Sequence, residues 1–322
     1  MSDYQQVTVA EVVRETEDAV SVVLDADFDY RPGQFLTLRC GEVARCYSLS
    51  SAPGLERPQV TVKRMGYGST WVCENIEAGS VLDILPPAGV FTPKSLDDDL
   101  LLFAAGSGIT PVMSIIKAAL ARGTGKLVLF YANRDENSVI FANQLREMAG
   151  ERLTVIHWLE SLQGLPTARH LTALKPFTGY QAFLCGPTPF MDVVNQALRA
   201  MGVPRDRIHV EKFISLSGNP FEEVEVTEED GEEATVAVDL DGQEHTFPWP
   251  RNKKLLDLLL EKGLDAPYSC REGACSACAC RIERGEVKML QNEILDQEDL
   301  DDGIILACQS LPVTDTVRIT YT

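Results

Sequence analysis

The sequence predicts a multidomain α/β plus β chain: an N-terminal antiparallel β-barrel, a doubly wound parallel-sheet domain, and a small β-rich C-terminal unit. Three observations carry this. Residues 1–98 hold short alternating stretches separated by Gly and Pro, which fits a barrel or a sandwich. From Asp99, continuous apolar runs alternate with helical stretches, the pattern of an open parallel sheet covered on both faces. Beyond a polar stretch at 214–222, the pattern changes again and four cysteines fall within 270–280.

In the first segment, strands are expected around Val7–Val13, Ala19–Asp25, Gln34–Cys40, Arg45–Ser50, Gln59–Met65 and Ser80–Pro87, with one short helix within 71–79. The second segment, 99–213, reads as strand Leu100–Ala105, helix Pro111–Ala121, strand Lys126–Tyr131, helix Val139–Ala149, strand Arg152–Leu159, a loop, strand Tyr180–Cys185 and helix Pro189–Met201. Residues 214–222 read as a linker. The third segment, 223–322, opens with a hairpin at 235–250. A helix at Lys253–Lys262 follows, with Gly263 as its C-cap, and a strand ends the chain.

The chain has 322 residues and a net charge of −19, enough length for two or three domains. The acidity is concentrated: residues 221–322 carry 24 acids against 9 bases. Nucleic acid and anionic membrane surfaces are poor partners for such a chain and a basic protein surface is a good one, while solubility alone explains the acidity equally well. The most apolar stretch, Leu100–Leu120, is interrupted by Gly106, Ser107, Gly108 and Pro111, so no membrane span is expected. No basic region followed by an apolar core opens the sequence, so no signal peptide is expected. A cytoplasmic location follows, and with it reduced thiols rather than disulfides. Five of the nine cysteines, Cys40, Cys46, Cys73, Cys185 and Cys280, fit as small packed or motif residues.

The other four have the spacing Cys270-x4-Cys275-x2-Cys278-x29-Cys308, that of a plant-type 2Fe-2S site. Three thiolates must converge from one loop and a fourth must reach over from a distant segment. Gly273, Ala274, Ser276 and Ala277 leave room for the backbone to wrap close to inorganic sulfur. Zinc is the rival, but it favours paired C-x2-C knuckles or His ligands, and His157, His170, His209 and His245 all lie outside the loop. A Rieske centre needs two His ligands and is unsupported on the same ground. Residues 223–322 thus resemble a plant-type ferredoxin domain, which implies a β-grasp fold.

Two more groups of motifs precede it. Arg45-Cys46-Tyr47-Ser48-Leu49-Ser50 resembles the Arg-x-Tyr-Ser flavin motif of the ferredoxin–NADP reductase superfamily. In that resemblance Arg45 neutralises a flavin phosphate, Tyr47 lies against the isoalloxazine, and Ser48, with Leu49 beside it, reaches flavin N5. Val62, Lys63 and the run Gly66–Trp71 stand at the superfamily's second flavin position. There Gly68, Ser69 and Thr70 offer N–H groups to a pyrophosphate, favouring FAD over FMN. A capped helix explains Ser69 or Thr70 equally well. Gly106-Ser107-Gly108-Ile109-Thr110-Pro111 resembles the superfamily's Gly-x-Gly-x-x-Pro nicotinamide motif, and Cys185-Gly186-Pro187 its Cys-Gly-Pro motif. No His accompanies Cys185 in either motif, which argues against covalent catalysis. Phe213 is a candidate to cover the flavin, and a core aromatic is the alternative. After the second parallel strand only Arg134 is basic and two acids follow it, which favours NADH over NADPH.

Flavin, nicotinamide and ferredoxin motifs in this order resemble the reductases of bacterial multicomponent oxygenases. The resemblance implies FAD, NADH and a 2Fe-2S cluster, with single electrons passed to a terminal oxygenase partner and the cofactors carrying the chemistry. Residues 45–53, 85–94, 106–117 and 129–141 resemble in detail the reductases of 3-ketosteroid 9α-hydroxylases, which serve a Rieske-type oxygenase in steroid degradation. Reductases of other oxygenases, such as phenylacetyl-CoA epoxidase, carry similar motifs. A flavin reductase whose C-terminal unit only docks is the alternative of another class.

Overall fold

The computed structural model describes residues 4–216, 218–221 and 233–321. These form two compact units, one of residues 4–41 and 45–213, the other of residues 42–44 and those from Ile214 on. Within the expected linker, Ser217 and Glu222 lie outside the described residues, as do 223–232 at the start of the expected third segment.

The first unit opens with β1 (Gln5–Arg14), β2 (Ala19–Asp25), β3 (Phe35–Cys40), β4 (Val43–Ser48), β5 (Gln59–Lys63), α1 (Tyr67–Asn75) and β6 (Val81–Ile84). The strands lie in the order β4-β3-β6-β1-β2-β5. A bridge from Leu49 to Val60 joins the two edges, so the sheet is a nearly closed antiparallel barrel rather than a sandwich. Alternation along β1 shows why: Val7 and Val9 are buried while Gln6 and Thr8 face solvent. The barrel also holds a chain of buried hydroxyls. Ser21 Oγ donates to Glu15 at 2.6 Å and lies 2.8 Å from Thr61 Oγ1, which lies 2.8 Å from Ser50 Oγ.

Next come β7 (Leu100–Ala105), α2 (Ile109–Arg122), β8 (Leu127–Asn133), α3 (Ala142–Met148), β9 (Leu153–Leu159), α4 (Glu160–Gln163), α5 (Ala168–Leu171), β10 (Gln181–Cys185), α6 (Thr188–Ala200) and β11 (Ile208–Glu211). All pairings in the sheet β11-β10-β7-β8-β9 are parallel. One face of β7, through Leu100, Leu102 and Ala104, packs with Val112, Met113 and Ile116 of α2. The other, through Leu101 and Phe103, packs with Met191 and Val194 of α6. The sheet is therefore doubly wound, as expected. Four features depart from the sequence reading. The edge strand β11 is short and only partly buried. The helix α3 begins at Ala142, because Phe141 takes a left-handed φ of 62° that cannot continue a helix. The expected loop after β9 contains α4 and α5. Pro111 is the third residue of α2, still within the first turn where its missing N–H costs nothing.

The second unit contains β12 (Glu233–Leu240), β13 (Gln243–Pro250), α7 (Leu255–Glu261), β14 (Ala279–Arg284), β15 (Val287–Met289), α8 (Gln297–Asp301), β16 (Ile304–Leu306), β17 (Ser310–Pro312) and β18 (Thr316–Thr320). The hairpin β12–β13 is antiparallel, and β18 joins β12 in parallel, giving the sheet β13-β12-β18-β14-β16. Leu255, Leu256, Leu258 and Leu259 of α7 pack on Val236, Val238, Trp249, Val317 and Ile319, so a mixed sheet grasps one helix.

Within the first unit, α2 is tied directly to the barrel. Ser114 Oγ donates to the Ser51 carbonyl at 2.7 Å, and Lys117 Nζ lies 3.1 Å from Glu56. Both Ser114 and Ser51 are buried, so removing the hydroxyl leaves a carbonyl unsatisfied. Ser114→Ala is expected to lower stability by about 1–3 kcal/mol in chemical denaturation. An unchanged midpoint would contradict the contact.

Candidate functional site

The glycine motif at the end of β7 forms a 3-10 turn, Gly106–Gly108, that feeds α2. Tyr131 Oη donates to the Gly106 carbonyl at 3.1 Å, and Thr110 Oγ1 donates to the Ser107 carbonyl at 3.0 Å. This turn lies directly against the Cys185-Gly186-Pro187 segment at the end of β10. A methyl on Gly108 would stand 2.1 Å from the Cys185 carbonyl oxygen, and one on Gly186 would stand 2.9 Å from Ala105 Cβ. At Gly108 glycine is needed because backbone meets backbone, whereas at Gly186 the close neighbours are the Ala105 and Phe190 side chains. Pro187 then caps α6, its carbonyl accepting from Phe190 N–H at 2.9 Å. The motifs separated by some eighty residues thus form one floor at the carboxyl ends of two neighbouring parallel strands, where ligands bind in such sheets.

Cys185 is fully buried, and burial, then the Glu211 carboxyl, pushes its thiol far above the usual range. It remains a thiol at neutral pH and is no nucleophile. Glu211, its register partner on β11, is partly exposed as a residue while its carboxyl is enclosed, and burial pushes that carboxyl up to about 8.

In the barrel, Arg45, Tyr47 and Ser48 lie on β4, with Leu49 at the bridge that closes the sheet. Tyr47 Oη is buried without a hydrogen-bond partner, and burial, then the nearby Cys40 thiol, pushes the phenol up. Val62 and Lys63 end β5. Lys63 Nζ lies 3.6 Å from Asp18 and 3.9 Å from where a Gly106 Cβ would stand, so it joins the barrel end to the glycine turn. Asp18 also lies 3.6 Å from the Arg134 guanidinium. On α1, Gly68 is buried while Ser69 and Thr70 are half-buried. Ser69 Oγ accepts from the Met65 and Gly66 N–H groups at 2.9 and 3.0 Å, so this hydroxyl holds its own loop. Phe213, at 49 % exposure, is not a core aromatic.

The cysteine loop folds around sulfur. The N–H groups of Glu272 and Ala274 each donate to Cys270 Sγ at 3.4 Å, and Cys270 N–H donates to Cys275 Sγ at 3.4 Å. Left-handed backbone at Arg271, Gly273 and Ser276 turns these amides inward. A side chain at Gly273, where φ is 78°, would press on the Gln291 carbonyl at 2.7 Å. Across the loop, buried Gln309 donates from Nε2 to the Arg271 carbonyl at 2.7 Å and lies 3.7 Å from Cys308 Sγ. Cys270, Cys278 and Cys308 are buried, while Cys275 is partly exposed. The Cys275 and Cys308 sulfurs beside Cys270, with the inward amides, draw its thiol toward thiolate. The Cys270 and Cys278 sulfurs, then burial, push Cys308 up. Among the described residues no group of three or more His, Cys, Asp or Glu converges on one metal ion. A two-iron cluster does not require that, since each iron takes two of the four thiolates. An all-sulfur donor set with aimed amides fits such a cluster. Cys280 is buried on β14, outside this set.

Asp18, Ser114, Glu211 and Gln309 were not singled out from the sequence. Nothing in their local pattern marks them, because each acquires its contact from a distant segment.

Glu211 makes a pH prediction. Its folded pKa is raised above the ordinary value of 4.5, so the fold is favoured with the carboxyl protonated. That contribution is full below about pH 4.5 and is lost as pH rises through about 8. Glu211→Gln is expected to flatten this decline, gaining on the order of a few kcal/mol at pH 9 relative to pH 5. Parallel stability–pH curves for the two proteins would contradict it.

The comparisons with known proteins agree with this geometry. The 2Fe-2S iron-sulfur cluster binding domain family matches residues 238–313, and the oxidoreductase NAD-binding domain family matches residues 102–196. The ferredoxin reductase component of 3-ketosteroid-9-alpha-monooxygenase from Rhodococcus rhodochrous is 56% identical over 98% of this chain and 96% of its own. A 1,2-phenylacetyl-CoA epoxidase subunit from Escherichia coli is 33% identical over 100% of this chain and 98% of its own. Among solved structures, phthalate dioxygenase reductase has the same fold, with a TM-score of 0.60 at 21% identity over 99% of this chain and 98% of that one. Among the described residues no helix is long and apolar enough to cross a membrane. The chain belongs to the family of NADH-dependent oxygenase reductases that join ferredoxin–NADP reductase-like FAD and nicotinamide domains to a 2Fe-2S domain, the family containing the ferredoxin reductase components of 3-ketosteroid-9-alpha-monooxygenase.

Proposed function

We propose that this reductase serves a 3-ketosteroid 9α-hydroxylase oxygenase, in the cytoplasm. The observation that carries the partner is the 56% identity to a reductase of that system, against 33% to the epoxidase protein. Nine cysteines with no disulfide among them suit a reducing compartment.

FAD bound here would supply the conversion between the hydride of NADH and the single electrons that a 2Fe-2S cluster carries. The chain supplies position and electrostatics. Arg45 would neutralise a flavin phosphate, with Tyr47, Ser48 and Leu49 against the ring system, and the orphaned Tyr47 hydroxyl supports a polar ligand there. Val62 and Lys63 would line the same site, and the amides of Gly68, Ser69 and Thr70 would meet the pyrophosphate. Gly106, Gly108, Thr110 and Pro111 would receive the nicotinamide nucleotide with Cys185, Gly186 and Pro187, and Phe213 would cover the flavin. Cys270, Cys275, Cys278 and Cys308 would hold the irons. The segments would act as an FAD-binding domain at 1–98, a nicotinamide domain at 99–213, a linker at 214–222 and a ferredoxin domain at 223–322.

The acidic segment beside the cysteine loop would face the oxygenase. Glu293, whose N–H donates to the Gly273 carbonyl at 3.1 Å, is exposed, as are Glu298, Asp301 and Asp302, and Asp299 is partly exposed. Raising salt past physiological strength, where the screening length is about 8 Å, is expected to slow oxygenase reduction several-fold without slowing ferricyanide reduction. An equal fall in both rates would sink this role.

The partner itself is tested by coupling. The reductase with NADH is mixed with the steroid oxygenase or with the epoxidase, each with its substrate, and product per NADH consumed is measured. Tight coupling with the steroid enzyme alone is expected. Equal or poor coupling with both would overturn the partner assignment and leave the reductase chemistry standing.

A further inference from the structure

Gln309 directly follows the fourth cysteine and is only 4% exposed, an uncommon place for a side-chain amide. Its backbone is pinned. The Gln309 carbonyl accepts from Leu290 N–H at 2.9 Å, and Ser310 beside it enters the β15–β17 ladder. Its side chain is aimed at the cysteine loop. Nε2 donates to the Arg271 carbonyl at 2.7 Å and lies 3.7 Å from Cys308 Sγ, so the two amide hydrogens meet an oxygen and a sulfur. The Arg271 carbonyl belongs to the same peptide plane as the Glu272 N–H, and that N–H donates to Cys270 Sγ at 3.4 Å. In a trans peptide the two groups point opposite ways, so Gln309 holds one side of the plane while sulfur sits on the other. Hydrogen bonds in such a series polarise one another. Arg271 takes a left-handed φ of 59° here, costly for a residue with a Cβ, so the peptide needs something to hold it. Gly273 leaves the room, since a Cβ there would stand 3.1 Å from Gln309 Cγ.

We infer that Gln309 is a positioning residue that raises the reduction potential of the cluster: its amide holds the 271–272 peptide with the Glu272 N–H on Cys270 Sγ, and itself donates to Cys308 Sγ. The inference rests on reading Cys270, Cys275, Cys278 and Cys308 as the ligands of a 2Fe-2S cluster. Uptake of one electron makes such a cluster one unit more negative and breaks no bond, so donors aimed at its sulfurs stabilise the reduced form more than the oxidised one. A single amide thereby acts on one thiolate of the loop and on the thiolate of the distant segment. The Arg271 guanidinium is committed elsewhere, to Asp257 of α7.

The test uses the full holoprotein and two variants. Gln309→Met keeps the length and removes both donors, and Gln309→Asn keeps the amide but withdraws it by one methylene. Iron per chain, the midpoint potential by EPR-monitored redox titration, and NADH–ferricyanide turnover are measured. Iron-loaded Gln309→Met is expected to favour the reduced cluster about tenfold less than wild type, a midpoint lower by about 59 mV for one electron. Gln309→Asn is expected to fall between the two. Ferricyanide turnover, fed from the flavin, is expected to stay within about twofold. A residue that only packed the loop would change iron content without moving the potential of the clusters that remain. One measurement needs no variant. With glutamine labelled by nitrogen-15 in its side-chain amide, pulsed EPR of the reduced wild-type protein is expected to show a coupling to that nitrogen. Unchanged midpoints in the iron-loaded variants would overturn the inference, as would a missing nitrogen coupling where neither variant holds iron. A wild-type protein without a 2Fe-2S EPR signal on reduction would instead sink the cluster reading.

Discussion

The contact of backbone with backbone at Gly108, against the Cys185 carbonyl, is the constraint on which the proposed nicotinamide site depends. With no room for a methyl, the turn after β7 and the turn after β10 are held as one surface. The start of α2 follows that turn directly, and Ser114, further along the helix, fixes it to the barrel at Ser51. Barrel and sheet are thereby placed so that Lys63 on β5 comes up to the Gly106 turn. Hydride transfer between two bound cofactors needs this kind of fixed juxtaposition more than it needs an acid or a base. The enclosed, raised Glu211 carboxyl and the buried Cys185 thiol are both neutral near pH 7, so the floor of the site carries no ionised side chain from these two residues.

The second unit solves a different problem with the same means. Four buried or half-buried sulfurs would repel one another as thiolates, and the loop answers with N–H groups rather than cationic side chains. Residues in left-handed conformation at Arg271, Gly273 and Ser276 make that inward turn. Arg271 itself points elsewhere, pairing with Asp257 of α7 at 2.5 Å and so tying the loop to the helix. Cys275, partly exposed, marks the side of the loop open to solvent, and the acidic segment that includes Glu293 adjoins the loop at Gly273.

The chemistry-bearing parts were legible because chemistry dictates their spacing. The cysteines at 270, 275, 278 and 308 have the spacing of a plant-type 2Fe-2S site, and the glycine at 108 must be a glycine. The barrel was legible from alternation such as that in β1, and β7 and β8 from unbroken apolar runs. What was hidden depends on distant contact or on short length. β11 is four residues of half-exposed edge, and β15 and β17 are three residues each, too short for any period to show. The left-handed Phe141 gives no local sign that α3 starts after it. Ser69 was ambiguous in sequence between a ligand role and a cap, and its hydroxyl holds Met65 and Gly66.

The central claim is that hydride arrives at one unit and single electrons leave through the other. Replacing Cys308, the proposed ligand far in sequence from the other three, by serine tests it most directly. Iron per chain, NADH–ferricyanide turnover and NADH-driven reduction of the oxygenase would be measured together. The account predicts loss of iron and of oxygenase reduction with ferricyanide turnover retained. Oxygenase reduction at the wild-type rate in a protein without iron would contradict it and leave the cysteine unit a docking module.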